Sequence, residues 1–152
     1  MIAILQRVKE ASVAVDDVCV AKCDKGFLLL LGVAEGDDRR DAELLADKIA
    51  KLRVFEDEAG KMNKSVTDIG GEILVVSQFT LCADIRKGNR PSFTDSAAPD
   101  EADRLYRFFC SKLLENGISK VETGVFAADM KVEIENDGPV TIVMDTDIWC
   151  KK

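Results

Sequence analysis

The sequence predicts a single α/β domain of the α+β type, in which a mixed, largely antiparallel sheet is covered by two helices. Its 152 residues are enough to bury about two-thirds of the unfolded surface in one core. Apolar runs predict strands towards both ends of the chain, and two other segments repeat apolar residues at helical spacing. The resulting order, βββ-α-β-α-βββ, is typical of helices packed on a sheet.

The first three predicted strands form the N-terminal part of the sheet. Residues 1–15 alternate between apolar and polar, residues 16 and 17 are aspartates that fit a turn, and residues 18–23 return as a second strand. Residues 27–33 are a continuous apolar run, the pattern of a central strand. Because short turns connect them, these three strands are expected to form a meander.

Two segments have the pattern of amphipathic helices. In residues 38–53, apolar residues recur at helical spacing behind an N-cap supplied by Asp37-Asp38. The second helix is expected to begin at Pro99 and to end at Asn116-Gly117, since proline favours the first helical position and glycine the residue after the last. Between the helices, residues 57–60 fit a turn and residues 61–67 an irregular polar segment.

The last part of the chain is predicted to add three strands. Residues 118–126 form the first, and residues 130–135 and 140–145 alternate between apolar and polar. The step Asn136-Asp137-Gly138 separates the last two. Since these residue types tolerate a positive φ, the step predicts a hairpin.

Composition excludes several kinds of function. The sequence contains no histidine, which excludes Ser-His-Asp and Cys-His catalysis and removes a common zinc ligand. Its five cysteines have no CxxC spacing, which favours free thiols. The formal net charge of −7 argues against non-specific nucleic-acid binding, which requires many contacts from Lys or Arg to phosphate. We therefore expect no metal and no cofactor.

Hydropathy gives an expectation for location. The longest apolar run, residues 27–31, is far shorter than the ~20 residues that a membrane-spanning helix requires. The N-terminal residues lack the basic region and cleavage site of a signal peptide. We expect a cytoplasmic protein without a membrane partner.

The stretch at residues 72–81 combines a buried strand with polar side chains. Residues 73–76 are aliphatic, and Ser77, Gln78 and Thr80 follow without a turn signal. If the strand continues, its period of two places Gln78 and Thr80 on one face. A buried polar group left unpaired costs ~1–3 kcal/mol, so these groups are either paired at a fraying strand end or held for a ligand. These residues alone leave both interpretations open.

A basic cluster follows in the next loop. It consists of Arg86, Lys87 and Arg90. Taken alone, the cluster fits either a solvated loop or a surface that contacts phosphate groups.

Two motifs together resemble the signature motifs of the D-aminoacyl-tRNA deacylases, also called D-tyrosyl-tRNA deacylases. The motifs are Ser77-Gln78-Phe79-Thr80-Leu81 and Asn136-Asp137-Gly138-Pro139-Val140-Thr141. Four further segments are similar to that family in kind and order: Gln6-Arg7-Val8, Gly60-Lys61-Met62-Asn63, Arg90-Pro91-Ser92-Phe93 and Phe126-Ala127-Ala128-Asp129-Met130. The resemblance covers residues 1–146 as a deacylase domain, and residues 147–152, with Trp149, form a short C-terminal extension.

The resemblance implies a homodimeric hydrolase with its active site at the subunit interface. Its partners would be D-aminoacyl-tRNA and glycyl-tRNA, because the family cleaves the ester of D-aminoacyl-tRNA and of glycine mischarged on alanine tRNA and rejects L-aminoacyl-tRNA. Gly138 and Pro139 of one chain, joined in the cis form, would face residues 77–80 of the other, and Arg7 would hold the Gly-Pro segment. The remaining implied contacts are with substrate, from Phe126 and Met130, and with tRNA, from the basic cluster.

Two catalytic mechanisms are compatible with the first motif. Thr80 is a candidate nucleophile, but no general base is evident to activate its hydroxyl. The resemblance favours assistance by the 2′-hydroxyl of the substrate. In that case the segment of Ser77, Gln78, Phe79 and Thr80 supplies positioning, and the backbone N–H groups of Phe79 and Thr80 stabilise the oxyanion.

Two other classes of function remain as alternatives. A non-catalytic module that binds aminoacyl-tRNA or RNA would bind tRNA without releasing the amino acid. A purely structural dimer would bind no tRNA at all.

Overall fold

A computed structural model describes residues 1–150, apart from the side chain of Cys150. Lys151 and Lys152, the end of the predicted extension, lie outside the described residues. Within them the strands are β1 (Ile2–Val15), β2 (Val18–Cys23), β3 (Gly26–Gly32), β4 (Arg53–Glu56), β5 (Met62–Ser65), β6 (Glu72–Ser77), β7 (Lys120–Thr123) and β8 (Lys131–Asp145). The helices are α1 (Arg39–Lys51), α2 (Pro99–Glu115) and α3 (Thr146–Cys150).

Strand β1 organises the main sheet because it has partners along both edges. One edge pairs with β8 from Ile2 to Ala14, and the other pairs with β3 up to Val8 and with β2 from Ala11 onwards. The predicted meander is therefore wrong, since the strand order is β2-β1-β3. The 14 residues of β1 accommodate two shorter strands end to end, which the alternation within each strand does not reveal.

The remainder of the main sheet is parallel. Strand β6 pairs with β3 on one side and with β7 on the other, both in parallel register. Parallel neighbours need crossover connections, and the segments that contain α1 and α2 supply them. The predicted class is confirmed: one domain with a mixed, largely antiparallel sheet and covering helices.

Both long helices begin where the sequence predicts. The Asp38 carboxylate accepts hydrogen bonds from the first turn of α1, and the Asp41 carboxylate accepts one from the N–H of Asp38 at 3.0 Å, which completes a capping box. Helix α1 ends at Lys51 because the chain enters β4 two residues later. Pro99 occupies the first position of α2, and Gly117, with φ of 92°, follows its end.

The larger part of the core lies between the main sheet and the two long helices. Alternate residues of the central strands face the helices. Among its fully buried members are Leu5, Leu29, Ile73, Leu45, Ile49, Leu105 and Phe109. A smaller cluster on the other face contains Val8, Val13, Leu28, Leu74 and Val76. Strands β3 and β6 are thus buried on both faces of the sheet, as their continuous apolar sequences predict.

The predicted C-terminal hairpin is wrong. Strand β8 is continuous and pairs with β1 on both sides of the Asn-Asp-Gly step. Val8 pairs with Asn136 and Gln6 with Thr141, so residues 137–140 lie opposite Arg7 alone. The turn-forming residues therefore produce an enlarged bulge within a strand and not a reversal of the chain.

Strand β6 covers the aliphatic residues 73–76 and does not continue through the polar residues, a point that the sequence left open. It ends at Ser77, and the residues Phe79–Cys82 form a 3₁₀ turn. The alternation of an extended strand therefore does not place Gln78 and Thr80 on a common face. The strand ends where its pairing with β3 ends, one residue after the aliphatic run.

Three other elements differ from the prediction. Strands β4 and β5 form a separate two-stranded sheet where an irregular segment was expected, because the exposed polar residues of β5 hide its strand period. Strand β7 is shorter than the predicted residues 118–126, and α3 was not predicted. No helix within residues 1–150 is both long and apolar enough to span a membrane. The four cysteines with described side chains are free thiols.

Candidate active site

The first motif lies where β6 ends. Parallel pairing places Ser77 beside Leu31, and the N–H of Gln78 still donates to the Leu31 carbonyl at 2.8 Å. Gln78 then leaves the strand with φ of −144° and ψ of 82°. Its side-chain Nε2 donates a hydrogen bond to Thr80 Oγ1. Ser77 and Gln78 are half-buried, whereas Phe79 and Thr80 are exposed.

Two backbone N–H groups of this segment have no hydrogen-bond acceptor within the described part of the chain. Within the 3₁₀ turn, the N–H of Leu81 donates to the Gln78 carbonyl at 3.3 Å and that of Ala83 to the Thr80 carbonyl at 3.2 Å. The N–H groups of Phe79 and Thr80 precede these bonds and have no acceptor among the described residues. Neighbouring unpaired N–H groups are the donors that an oxyanion requires.

A cavity of about 680 Å³ opens beside this segment. Its walls come from the ends of β3 and β6, from the chain that enters α2, and from the segment that enters β8. Ser77, Gln78 and Phe79 line it together with the predicted substrate residues Phe126 and Met130. This volume lies within the range of small-molecule sites and the lining is mainly apolar. The structure thus brings three residues of the first motif and both predicted substrate residues to one place, whereas Thr80 is not among the residues that line the cavity.

Sequence reasoning missed Phe93 as a member of this site. Its ring lies 5.0 Å from the ring of Phe79 in an edge-to-face arrangement with an interplanar angle of 67°. The side chains of Phe79 and Phe93 remain 56% and 37% exposed, so both form an accessible apolar wall. Phe93 is the last residue of the segment Arg90-Pro91-Ser92-Phe93, and the similarity of that segment to the family is the sequence signal that could have identified it.

Tyr106, on α2, also escaped prediction; it does not line the cavity but packs against Phe126, which does. Its hydroxyl donates to the Val75 carbonyl at 2.7 Å, and its ring lies 6.0 Å from that of Phe126. Burial raises the pKa of Tyr106 well above its ordinary value, so the hydroxyl stays protonated and remains a donor at neutral pH. A buried tyrosine on an amphipathic helix has no sequence signal that separates it from ordinary core.

The side chains near the free N–H groups are poor nucleophiles. Burial, followed by the negative charge of Asp37, raises the pKa of the Cys82 thiol, so the reactive thiolate is scarce at neutral pH. Thr80 Oγ1 accepts its hydrogen bond from an amide, and an amide cannot remove the hydroxyl proton. Both facts favour chemistry that relies on backbone donors.

The second motif lies in the bulge of β8. The Gly138-Pro139 peptide is cis, Gly138 has φ of 132°, and both residues are exposed. Arg7 is buried beside them, and its Nε donates to the Asp137 carbonyl at 3.0 Å and lies 3.6 Å from Asp137 Oδ2. Its second contact is a hydrogen bond from NH1 to the Val54 carbonyl at 2.6 Å. Arg7 thus connects the bulge to β4.

The two motifs do not meet within one chain. Gly138 and Pro139 are not among the described residues that line the cavity. Arg7, beside the bulge, pairs with Phe27 near the start of β3. Ser77 pairs with Leu31 near the end of β3, so the two motifs lie towards opposite ends of that strand. A contact between the two motifs therefore requires a second chain.

The basic cluster lies on a loop that is closed by two backbone hydrogen bonds between Asp84 and Ser92, at 2.8 and 2.9 Å. Arg86, Lys87 and Arg90 are all exposed. Arg86 donates from Nε and NH2 to the Asp84 carboxylate, both at 2.8 Å, and these bonds lower the pKa of Asp84 to about 2. Lys87 and Arg90 form no ion pair among the described residues and are the freer cations.

Comparison with known proteins identifies close relatives. The family model described as D-Tyr-tRNA(Tyr) deacylase matches residues 4–145. The D-aminoacyl-tRNA deacylase of Thermomicrobium roseum is 59% identical over 143 residues, which cover 94% of this chain and 92% of the relative. The D-aminoacyl-tRNA deacylase of Anaeromyxobacter dehalogenans is 57% identical over 146 residues, which cover 96% and 97%.

Solved structures agree with these sequence matches. One described as "c-Myc DNA Unwinding Element Binding Protein" has a TM-score of 0.90 and 41% identity, and the match covers 95% of this chain and 98% of that chain. A probable eukaryotic D-amino acid tRNA deacylase shares the fold, with a TM-score of 0.79 at 17% identity over 94% of this chain and 97% of that chain. The resemblance seen in the two motifs is confirmed, and the alternatives without catalysis are set aside. Matched along almost its entire length, the chain belongs to the D-Tyr-tRNA(Tyr) deacylase family and is a hydrolase.

Proposed function

We propose that this hydrolase cleaves the ester bond of D-aminoacyl-tRNA and of glycine mischarged on alanine tRNA, and that it rejects L-aminoacyl-tRNA. The observation that carries the proposal is the pair of unpaired N–H groups at Phe79, which lines the apolar cavity, and at Thr80, the next residue. An ester carbonyl oxygen bound by both groups becomes negatively charged during hydrolysis, and fixed donors stabilise that charge. The names of the bacterial relatives support D-aminoacyl-tRNA as the substrate.

The proposed reaction uses the terminal adenosine of the tRNA. Water adds to the ester carbon, assisted by the neighbouring 2′-hydroxyl, and the carbonyl oxygen becomes an oxyanion held by the two N–H groups. The bond from this carbon to the 3′-oxygen then breaks, the 3′-oxygen takes the proton that the attacking water gave up through the 2′-hydroxyl, and free amino acid and tRNA are released. Thr80 contributes its backbone, because the side chain in contact with its hydroxyl is the Gln78 amide, which cannot take up the hydroxyl proton.

The Gly138-Pro139 segment of a second copy is proposed to read chirality. The segment is exposed, is held by Arg7 and lies apart from its own cavity. Inserted into the cavity of a partner, its backbone would crowd an L side chain and leave space for glycine or a D side chain. Exclusion by contact separates enantiomers more sharply than preference for one apolar group.

One face of the sheet offers a surface for this second copy. Val143 on β8, Ile4 on β1 and Leu30 on β3 are cross-strand neighbours on the face opposite the helices. Val143 is 68% exposed, and the other two are half-buried. Because β8 carries both this apolar row and the Gly-Pro bulge, a copy docked here would meet both. This placement supports the proposed homodimer with an active site at the interface.

The direct test is release of labelled D-tyrosine, L-tyrosine and glycine from charged tRNA. We expect release of D-tyrosine and of glycine, with L-tyrosine retained. Gly138→Ala should weaken the discrimination, since a Cβ there would lie 2.9 Å from Val140 Cγ2 and the residue has φ of 132°. Binding of charged tRNA without release of any amino acid would refute the proposal.

Action in trans has its own test. Gly138→Ala and Phe79→Pro chains are each defective in a different part of the site. In a random mixture, half of the pockets that keep Phe79 receive the wild-type Gly-Pro segment from the partner, so the ratio of the rates on D-tyrosyl-tRNA and L-tyrosyl-tRNA should recover to about twice that of Gly138→Ala alone. If mixed dimers form without any recovery, the Gly-Pro segment does not act on the partner.

A further inference from the structure

Arg7 joins the Gly-Pro bulge to the hairpin of β4 and β5, which has no role in the proposed reaction. The Val54 carbonyl on β4 and the Asp137 carbonyl on β8 accept from the same guanidinium, at 2.6 and 3.0 Å. Arg7 is 6% exposed, and a buried cation is costly unless its donors are satisfied. The position of the Val54 carbonyl therefore constrains the guanidinium, and the guanidinium constrains the bulge.

The Val54 carbonyl is turned towards Arg7 at an irregularity of β4. Arg53 pairs with Ser65 and Phe55 with Lys64, so Val54 is the extra residue of a bulge. Phe55 packs in the core, with its ring 5.1 Å from that of Phe27, and this contact sets the depth of the strand. Val54 is itself 6% exposed and packs in the same core, and its neighbours on β4 pair with β5. The bulge interrupts that pairing at Val54, so a contact made by the adjacent residue helps to hold its carbonyl.

Asn63 supplies that contact from β5. Arg53 donates from Nε to the Asn63 carbonyl at 2.9 Å and from NH2 to Asn63 Oδ1 at 2.7 Å. Asn63 Nδ2 in turn donates to Asp57 Oδ2 at 2.7 Å, and this bond is the main reason that the pKa of Asp57 is lowered. Asp57 Oδ1 accepts from the N–H groups of Ala59 and Lys61, which closes the turn. Asn63 thus ties the turn to the residue that precedes Val54.

We propose that Asn63 is a positioning residue for stereospecificity, which acts through Arg53, the Val54 carbonyl and Arg7 on the Gly138-Pro139 segment. Each link is a direct contact or a peptide bond. The last one is tight, since a Cβ at residue 138 would lie 3.1 Å from NH2 of Arg7. The inference rests on the proposed role of the Gly-Pro segment, and it assigns the β4–β5 hairpin to the same function.

The test is the ratio of the deacylation rates of D-tyrosyl-tRNA and L-tyrosyl-tRNA. Asn63→Ala should lower this ratio by about tenfold, the factor that the loss of one hydrogen bond carries. The rate on D-tyrosyl-tRNA should stay within about twofold of wild type, because the exposed Asn63 contacts no catalytic group. Arg53→Lys, which keeps the charge but loses the forked contact, should lower the ratio in the same way.

A matched control lies on the same hairpin. Glu58→Gln removes the exposed ion pair with Lys64 Nζ at 2.6 Å but leaves the contacts of Arg53 intact. Its D-to-L ratio should equal that of wild type. A fall in this control as large as in Asn63→Ala would overturn the inference, because general loosening of the hairpin would then explain both.

Two further variants separate the inference from the proposed function. Arg7→Lys and Gly138→Ala act on the Gly-Pro segment directly. If neither lowers the ratio, the segment does not read chirality and the proposed function fails at that point. If both lower it while Asn63→Ala and Arg53→Lys leave it unchanged, the hairpin inference alone is wrong.

Discussion

Replacement of Phe79 by proline removes one of the two proposed oxyanion donors from the backbone. Proline has no N–H, and its fixed φ is accepted at the first position of a helical turn. Gln78, which precedes it, is outside the helical region with φ of −144° and ψ of 82°, so the change fits the local backbone. The substitution also deletes the aromatic ring, and a second variant must account for that loss.

Phe79→Ala is the matched control because it deletes the ring and keeps the N–H. The ring has one edge-to-face contact, with Phe93 at 5.0 Å, and such a contact contributes ~0.5–1.5 kcal/mol. The control should therefore lose no more than about tenfold in rate. Loss of a single oxyanion donor costs about 10²–10³-fold in kcat, so Phe79→Pro should fall below Phe79→Ala by that factor.

The assay is single-turnover deacylation of D-tyrosyl-tRNA at saturating enzyme, which isolates the chemical step from binding. Thermal unfolding of both variants shows whether the fold is retained. If the two folded variants have rates within about twofold of each other, the N–H of Phe79 takes no part in the reaction and the proposed oxyanion site is wrong.

Three other predictions concern neighbouring groups. Thr80→Ala should cost less than about tenfold, because it removes a hydroxyl engaged only with Gln78, while a terminal 2′-deoxy substrate should react far more slowly; the opposite pattern would establish Thr80 as the nucleophile. Lys87→Ala and Arg90→Ala should each reduce the salt dependence of tRNA binding by roughly one counterion, and Arg86→Ala by less, because Asp84 already neutralises Arg86. The folded pKa of Asp84, about 2, lies below its ordinary 3.8. The ion pair therefore stabilises the loop fully above pH 3.8, and this stabilisation is lost as the pH falls through 2. Carboxyl titration by NMR should show that midpoint, and Arg86→Ala should raise it.

Much of the fold could be predicted because local patterns determine it. The spacing of apolar residues placed both long helices, and Asp38, Pro99 and Gly117 marked where helices begin or end. The pairing of strands could not be predicted in the same way. Alternation along β1 gives no indication that β2 and β3 share one of its edges, since that arrangement depends on strand length and sheet curvature.

The candidate site, too, could be predicted only in part. Ser77, Gln78, Phe126 and Met130 were selected by resemblance, and the fold brings them to one cavity. Phe93 and Tyr106 were missed because their side chains resemble ordinary core or loop residues. The Val54 carbonyl could not be found at all, since a backbone atom has the same chemistry at every position and only its surroundings make it useful.

The groups proposed to act in this enzyme belong mostly to the backbone, which accounts for a hydrolase without histidine. The N–H groups of Phe79 and Thr80 become available because β6 ends at Ser77 and the chain turns into a 3₁₀ segment. The Gly138-Pro139 segment becomes available because β8 bulges opposite Arg7. Both are interruptions of regular pairing, and an interruption leaves donors or acceptors without strand partners. Alanine substitution keeps the backbone, so an alanine scan of the first motif should understate its importance. Proline at residue 79 and a side chain at residue 138 are therefore the changes that test the mechanism.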